Sequence, residues 1–322
     1  MWRPAPARHH RPVRPSPLPA LLAARPFSTA QARASGVHPE RLRRADLTAP
    51  HHGVRAPRAR SDDDPHGAAP RVVDACRRLV PGLTDQHVFS HGTALQLWGL
   101  PAPPRLERDP TLHVTALSGR EPRRPGVQGH RVAVPTAHVG RVEGLAVVSP
   151  IEAWLQTAPL MTLDEAIVVG DALAGRWSRH SSARRLPVQR LVDAATAARG
   201  RPGAVRLREA TSWIRARVES PQETRMRLLV VRSGLPEFAV NIDVVDDQGR
   251  FVARPDGQYP DRRVAVEYQG DHHRADRETW RRDVRRRARL VALGWSVVEA
   301  TDDDIAAGTR ADFLDDLARL LS

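Results

Sequence analysis

The stretch from Arg254 to His273 reads RPDGQYPDRRVAVEYQGDHH and concentrates the residue types that could do chemistry. Asp256 stands before a polar turn, Glu267 ends the apolar run VAVEY, and His272 and His273 follow in a Gly-Asp-His-His segment. A carboxylate at the end of an apolar strand is costly to bury unless a cation or a donor compensates it. Two such carboxylates on neighbouring antiparallel strands can converge on one divalent ion, which is what metal-assisted phosphodiester hydrolysis needs. Histidine titrates near neutrality and can give or take the proton of that reaction. Plain readings exist beside these: Asp256 as a turn residue before Gly257, and the histidine pair as exposed loop.

The elements that would position these residues follow from the surrounding pattern. Ser220-Pro221-Gln222-Glu223 predicts a capping box, and Met226, Leu229 and Val230 lay an apolar stripe along the helix until Gly234 ends it. Phe238 to Val245 reads as a strand and Asp246-Asp247-Gln248-Gly249 as a turn. A second strand runs from Arg250 towards Gly257, and after Tyr259-Pro260-Asp261 a third runs from Arg263 to Tyr268, completing a meander. A long helix from about Asp276 to Leu293 is expected to put Trp280, Val284, Ala288 and Val291 on one face and arginines on the other. Gly294 stops it, Trp295 to Ala300 reads as a strand, and Ala311 to Leu320 as a closing helix.

This order, with the phrases SPQETRMRLLVVRSGLP, RVAVEYQGDHHRAD and WRRDVRRRARLVALGWSVV, resembles the core of the PD-(D/E)XK nuclease superfamily. The likeness is to its very-short-patch-repair-like branch, which includes domain of unknown function 559. The resemblance implies a restriction-endonuclease-like fold, DNA as substrate and Mg2+ or Mn2+ as cofactor. It assigns Asp256 as the metal-binding aspartate, Glu267 as the second acid and Glu223 as a helix acid that completes the site, although the capping box alone also accounts for Glu223. His272 and His273 fall where the repair enzymes use histidines near the scissile phosphate. Gln269 stands where the superfamily has lysine and this branch aspartate, and the chain contains no lysine at all. Glutamine can orient water or a phosphate oxygen but supplies neither charge nor a proton. Arg254, Arg263, Arg274 and Arg281 surround the segment in sequence and suit a phosphate backbone. The competing reading is a non-catalytic DNA-binding regulator of the antitoxin type that keeps a degenerate nuclease fold.

Composition bounds the rest. The chain's 322 residues, 41% hydrophobic, suffice for two or three domains. All 50 positive charges are arginine; against 37 acids they leave +13, with a sequence pI near 11.3, a charge that draws polyanions. Codon bias in a GC-rich genome accounts for arginine over lysine and for the scarcity of asparagine, but not for the excess of positive charge. Cys76 is the single cysteine, which excludes an intramolecular disulfide or a cysteine-ligated zinc and fits a reducing cytoplasm. No apolar run approaches the roughly 20 residues that span a bilayer.

Residues 1–26, dense in Pro, Arg and Ala, are expected to be an unstructured tail. From 27 to 60 a helix capped by Ser28, a turn at Ser35-Gly36, a second helix from Pro39 and an extended return over Thr48 to Pro57 resemble the small winged helix-turn-helix of AbiEi-type antitoxins. Arg41, Arg43 and Arg44, with His51 and His52 in the wing, would face nucleic acid. Residues 71–176 mix strands and helices, and the phrases FSHGTALQLWGLP, GHRVAVP and GLAVVSPIEAWL resemble the middle domain of AbiEi-like actinobacterial proteins. There His91 and His130 draw attention, but no matching cysteine or carboxylate set lies nearby in sequence and both read as structural. Asp171 reads as a surface or capped helix acid. Residues 177–218 are expected to be a helical linker, and 219–322 the nuclease-like domain. The whole is a multidomain mixed α/β (α+β) chain, with DNA as partner, no membrane, and a homodimer or a toxin partner among the assemblies left open.

Overall fold

Ser28 opens the N-terminal unit by capping a helix whose third residue, Gln31, reciprocates with its side chain, so both halves of a capping box form. The computed structural model describes residues 16–58, 72–131, 139–270, 277–305 and 310–322, with backbone alone for 277–284 and 310–311. The first unit comprises α1 (Ala20–Ala23), β1 (Phe27–Ser28), α2 (Thr29–Ala34), a 3-10 turn at Pro39–Arg43, β2 (Leu47–Thr48) and β3 (Val54–Pro57). Its three antiparallel strands run in the order β1-β3-β2. Part of the expected tail is built in: Leu22, from α1, is buried with Phe27, Ala32, Val37, Leu42 and Leu47. The second helix is only a 3-10 turn.

The middle unit begins with α3 (Val72–Leu79), β4 (His87–Phe89), α4 (His91–Leu97), α5 (Pro104–Glu107), β5 (Leu112–Ala116) and β6 (Val127–Arg131). It continues through β7 (Val139–Val142), β8 (Leu145–Val148), α6 (Pro150–Thr157) and α7 (Leu163–Ala174). The sheet order is β6-β5-β4-β8-β7, with β5 and β6 parallel. The strand expected over Val132 to Val134 lies outside the described residues. The helices expected to link the units are present and pack into the middle core. α8 (Val188–Ala197) and α9 (Ala204–Trp213) bury Leu191, Ala195, Leu207 and Ala210 in the same core as Trp154, Ile167 and Leu173. Their apolar residues recur at helical spacing, so each has a face to bury. Gly170 permits a close contact with the end of α9, because a Cβ there would lie 2.5 Å from Ile214 Cδ1.

The C-terminal unit follows as α10 (Pro221–Arg232), β9 (Ala239–Val240), β10 (Val244–Val245), β11 (Phe251–Ala253), β12 (Gly257–Tyr259) and β13 (Val264–Gln269). Then come α11 (Arg277–Ala292), β14 (Ser296–Thr301), α12 (Asp302–Ile305) and α13 (Arg310–Leu321). The sheet order is β14-β13-β12-β9, with β13 and β14 parallel and the other pairs antiparallel. The expected first and second strands are each divided in two: β9 and β12 stay in the main sheet while β10 and β11 pair as a separate hairpin. Val264 and Val266 face a core with Met226, Val230, Phe313 and Leu317, while Ala265 joins Val244, Ala253 and Leu290 on the other face. Among the described residues no helix is long and apolar enough to cross a membrane.

α10 belongs to both larger units. Met226 and Val230 pack into the C-terminal core, whereas Leu228 is part of the middle core. Asp171, expected at a helix surface, is fully buried on α7 and pairs with Arg227 of α10 at 3.0 Å. It also accepts from the Thr224 hydroxyl and the Arg215 backbone N–H, at 2.8 and 2.7 Å.

Candidate functional site

Asp256 immediately precedes β12, and Gly257 is strand rather than turn. The glycine is needed because a Cβ there would come within 2.4 Å of the Phe238 ring. β12 and β13 pair with Gly257 opposite Val266 and Gln258 opposite Ala265. Carried one residue further, that register sets Asp256 opposite Glu267. The Asp256 carboxylate accepts from the Tyr268 backbone N–H at 2.8 Å, which pins it to the end of β13. Alternation along β13 directs Glu267 and Gln269 to the face of Ala265, the face that α11 covers.

Glu223 enters from the first turn of α10. Its N–H bonds to Ser220 Oγ as a capping box requires, but its carboxylate does not return to the Ser220 backbone N–H. Instead Oε2 accepts from the Glu219 N–H at 2.9 Å and from the Asn241 amide at 2.6 Å. Burial, and then the negative charge of Asp256, push its pKa up to about 7. Two acids that oppose each other's ionisation are therefore drawn together, an arrangement that a cation relieves.

Asn241 is the residue that sequence reasoning missed here. Besides holding Glu223 it donates to Arg217 O at 2.9 Å, and its backbone N–H bonds to Asp256 O at 3.1 Å. It sits at φ 47°, in the left-handed region where asparagine is one of the few tolerated side chains. A signal was present, since this is the chain's only asparagine and survives in a composition that otherwise excludes it.

The cations are arranged differently from expectation. Val291 of α11 is exposed, and among the described side chains of the helix the buried one is Leu290. Arg286, one turn earlier on the inner side, donates to Glu267 Oε2 at 2.9 Å. The apolar pattern misassigned the face because an inward arginine counts against burial until its carboxylate partner is known. Gln269 donates to Glu299 at 3.3 Å, and Arg287 bonds to the same oxygen at 2.5 Å. Arg254 is exposed and paired with Asp243. Arg263 immediately precedes β13, roughly 13 Å of chain away from Glu267, and donates to Leu293 O, so it stands apart from the acids. His272, His273 and Arg274 lie outside the described residues, and Arg281 is described by backbone alone.

At the N-terminal unit, Arg43 and Arg44 are exposed, but Arg41 is bound to Asp46 and to the Ser16 carbonyl. The expected wing docks on the middle unit, where Arg124 donates to His52 O at 2.6 Å and to Gly82 O at 2.8 Å. Burial and the Arg124 charge lower the pKa of His51, which disfavours its charged form.

A second constellation brings together residues far apart in sequence. His91, His113 and His130 each offer a ligand atom, and these atoms all lie within 4.8 Å of one another. His113 and His130 come from the parallel pair β5 and β6, and His91 from the first residue of α4. Sequence reasoning singled out His91 and His130 but not His113, because the shared surface depends on strand register and no local spacing encodes it.

The chain is similar to two uncharacterized proteins of Mycobacterium tuberculosis. One is from strain CDC 1551 and one from strain H37Rv; each is 28% identical over 169 residues, covering 52% of this chain and 59% of the relative. The chain thus spans about three-fifths of the length of the curated relatives it matches. No family model and no solved structure matches it. The relatives' names state no activity, so function has to be read from the geometry.

Proposed function

We propose that the C-terminal unit is a metal-dependent DNA endonuclease core of the restriction-endonuclease-like type, and that the N-terminal half, with its winged-helix-like and AbiEi-like likenesses, binds DNA or regulates. The observation that carries this is the opposition of Asp256 and Glu267 across β12 and β13, with Glu223 beside Asp256. Carboxylate oxygens of this kind suit Mg2+ or Mn2+, and Asp256 and Glu267 would hold the ion. When bound, the ion lowers the pKa of a water and offsets charge building on the phosphate. The chain's own residues do the positioning. Asn241 orients Glu223, and the Tyr268 N–H orients Asp256. Arg286 brings to Glu267 the positive charge that a lysine would carry elsewhere, but a guanidinium keeps its protons. Proton transfer is left to His272 or His273, with Gln269 orienting water. The sixteen-residue α11 carries seven arginines in its sequence, a charge density that suits a phosphate backbone. A cytoplasmic location fits this reading.

One observation favours the antitoxin-type regulator instead. Glu267 and Gln269 are both engaged by partners of the chain itself, Arg286 and Glu299, as in a fold that binds DNA without cutting it. The two readings separate on incubation of the protein with supercoiled, mismatched and single-stranded DNA plus Mg2+ or Mn2+. Nicking that falls at least about 100-fold in both Asp256→Ala and Glu267→Ala supports the nuclease. DNA retention without nicking under either metal supports the regulator. Nicking undiminished in both variants removes the site assignment.

A further inference from the structure

His113 Nδ1 and His130 Nε2 stand 2.9 Å apart, so one neutral ring donates to the other. The His91 ring stacks on His130 with centroids 3.7 Å apart, and its own Nδ1 is 3.0 Å from the hydroxyl of Ser90, a fully buried residue. His91 is held at φ 51°, a conformation that a non-glycine residue adopts only under constraint. We propose that His91, His113 and His130 form a binding site for a first-row transition-metal ion of the zinc class, with three imidazole nitrogens and an open fourth position. The site is independent of the nuclease reading, because borderline ions prefer nitrogen donors whereas Mg2+ prefers the carboxylates of the C-terminal unit.

The donor set meets the chemical requirements. Ligation needs neutral imidazoles, and burial lowers the pKa of all three rings, His91 to about 2 and His130 to about 4. A ligating histidine is oriented by a bond from its other nitrogen, which Ser90 provides for His91. Asp109 near His113 and Glu121 near His130 supply negative potential, set against the positive charge of Arg201 near His91. The rings are stacked, with interplanar angles of 12 to 30°, and must turn to point at one ion. That rotation is about the broad torsion of an sp3–sp2 bond and is inexpensive. Two nitrogens of a tetrahedral zinc site lie about 3.3 Å apart, given Zn–N of about 2.0–2.1 Å, so the 2.9 Å pair need open only slightly. The donating ring shifts its proton to its other nitrogen, and no net proton is gained or lost.

The test uses the full chain, stripped with chelator and given one equivalent of Zn2+ or Co2+. X-ray absorption at the zinc edge should show three imidazoles, the cobalt form should give tetrahedral visible bands, and calorimetry should give one site. His91→Phe, His113→Phe and His130→Phe should each weaken binding about 100-fold or more, while exposed His38→Ala should not. Absence of binding at one equivalent would overturn the site, as would fewer than three imidazoles at the zinc. An unchanged stoichiometric site in the triple Phe variant would show that the ion lies on other histidines. The absorption result on the unaltered protein decides the matter even if a variant fails to fold.

Discussion

Replacing Asp171 by alanine should unfold the boundary between the middle and C-terminal units. The Asp171 and Arg227 side chains are 1% and 0% exposed, so neither charge has water to fall back on. The variant would leave Arg227 with only Glu237, at 3.0 Å, and the Trp213 carbonyl, at 2.8 Å, and would strip the Arg215 N–H and the Thr224 hydroxyl of an acceptor. Orphaning one half of a buried pair costs about 3–5 kcal/mol. That is a large share of the roughly 5–15 kcal/mol that holds a domain folded. Asp171→Asn keeps the shape and should cost less, and Asp171→Leu with Arg227→Met should return most of the loss by removing both charges. Urea unfolding followed by tryptophan fluorescence, with far-UV circular dichroism to expose a separate transition, would give the values. A cost under about 1 kcal/mol for Asp171→Ala would refute the view that this pair ties the units together.

The pKa of Glu223, about 7 in the folded protein against an ordinary 4.5, means that the folded state prefers the protonated form. Its contribution is therefore fully present below about pH 4.5 and is lost as pH rises through 7, on the order of 3 kcal/mol in chelator. Relative to Glu223→Gln, the protein should lose stability over that window; parallel pH–stability curves would contradict it. Asn241→Ala should cost about 2–4 kcal/mol in denaturant midpoint analysis, from lost hydrogen bonds and the left-handed backbone. Asn241→Gly should regain only the backbone part, and equal costs for the two would show that the left-handed backbone contributes little. Gly257→Ala should cost about 1–3 kcal/mol by displacing the Phe238 ring. Combining it with Phe238→Leu should give a smaller total than the sum of the single costs, and strict additivity would place the strain elsewhere.

The C-terminal order of elements was readable because its signals are local. Ser220 capping α10, the Gly-containing turn between β10 and β11, and Gly294 ending α11 each act within a few residues. What sequence hid was pairing at a distance. The inward direction of Arg286 is understood only once Glu267 is opposite, and the burial of Asp171 only once Arg227 is known. The helices over 188–213 read as a linker because alanine and arginine dominate them, yet Leu191 with Ala195, and Ala204 with Leu207 and Ala210, recur at the spacing that fills a core. Asp256, one residue before β12, comes opposite Glu267 of β13 because that antiparallel pairing joins sequence neighbours, whereas the histidine triad spans separate strands and a helix.

Six of the twelve residues of α10 are buried, and they divide between two cores. Every substitution on this helix is therefore judged twice, once by the sheet that carries Asp256 and Glu267 and once by the helices around Asp171. The catalytic candidate Glu223 stands on an element whose tolerance to change is set partly by a neighbouring unit. Recombination that moved residues 219–322 into another protein would separate Arg227 from Asp171 and Leu228 from the middle core, so the C-terminal unit would travel with two buried side chains unmatched.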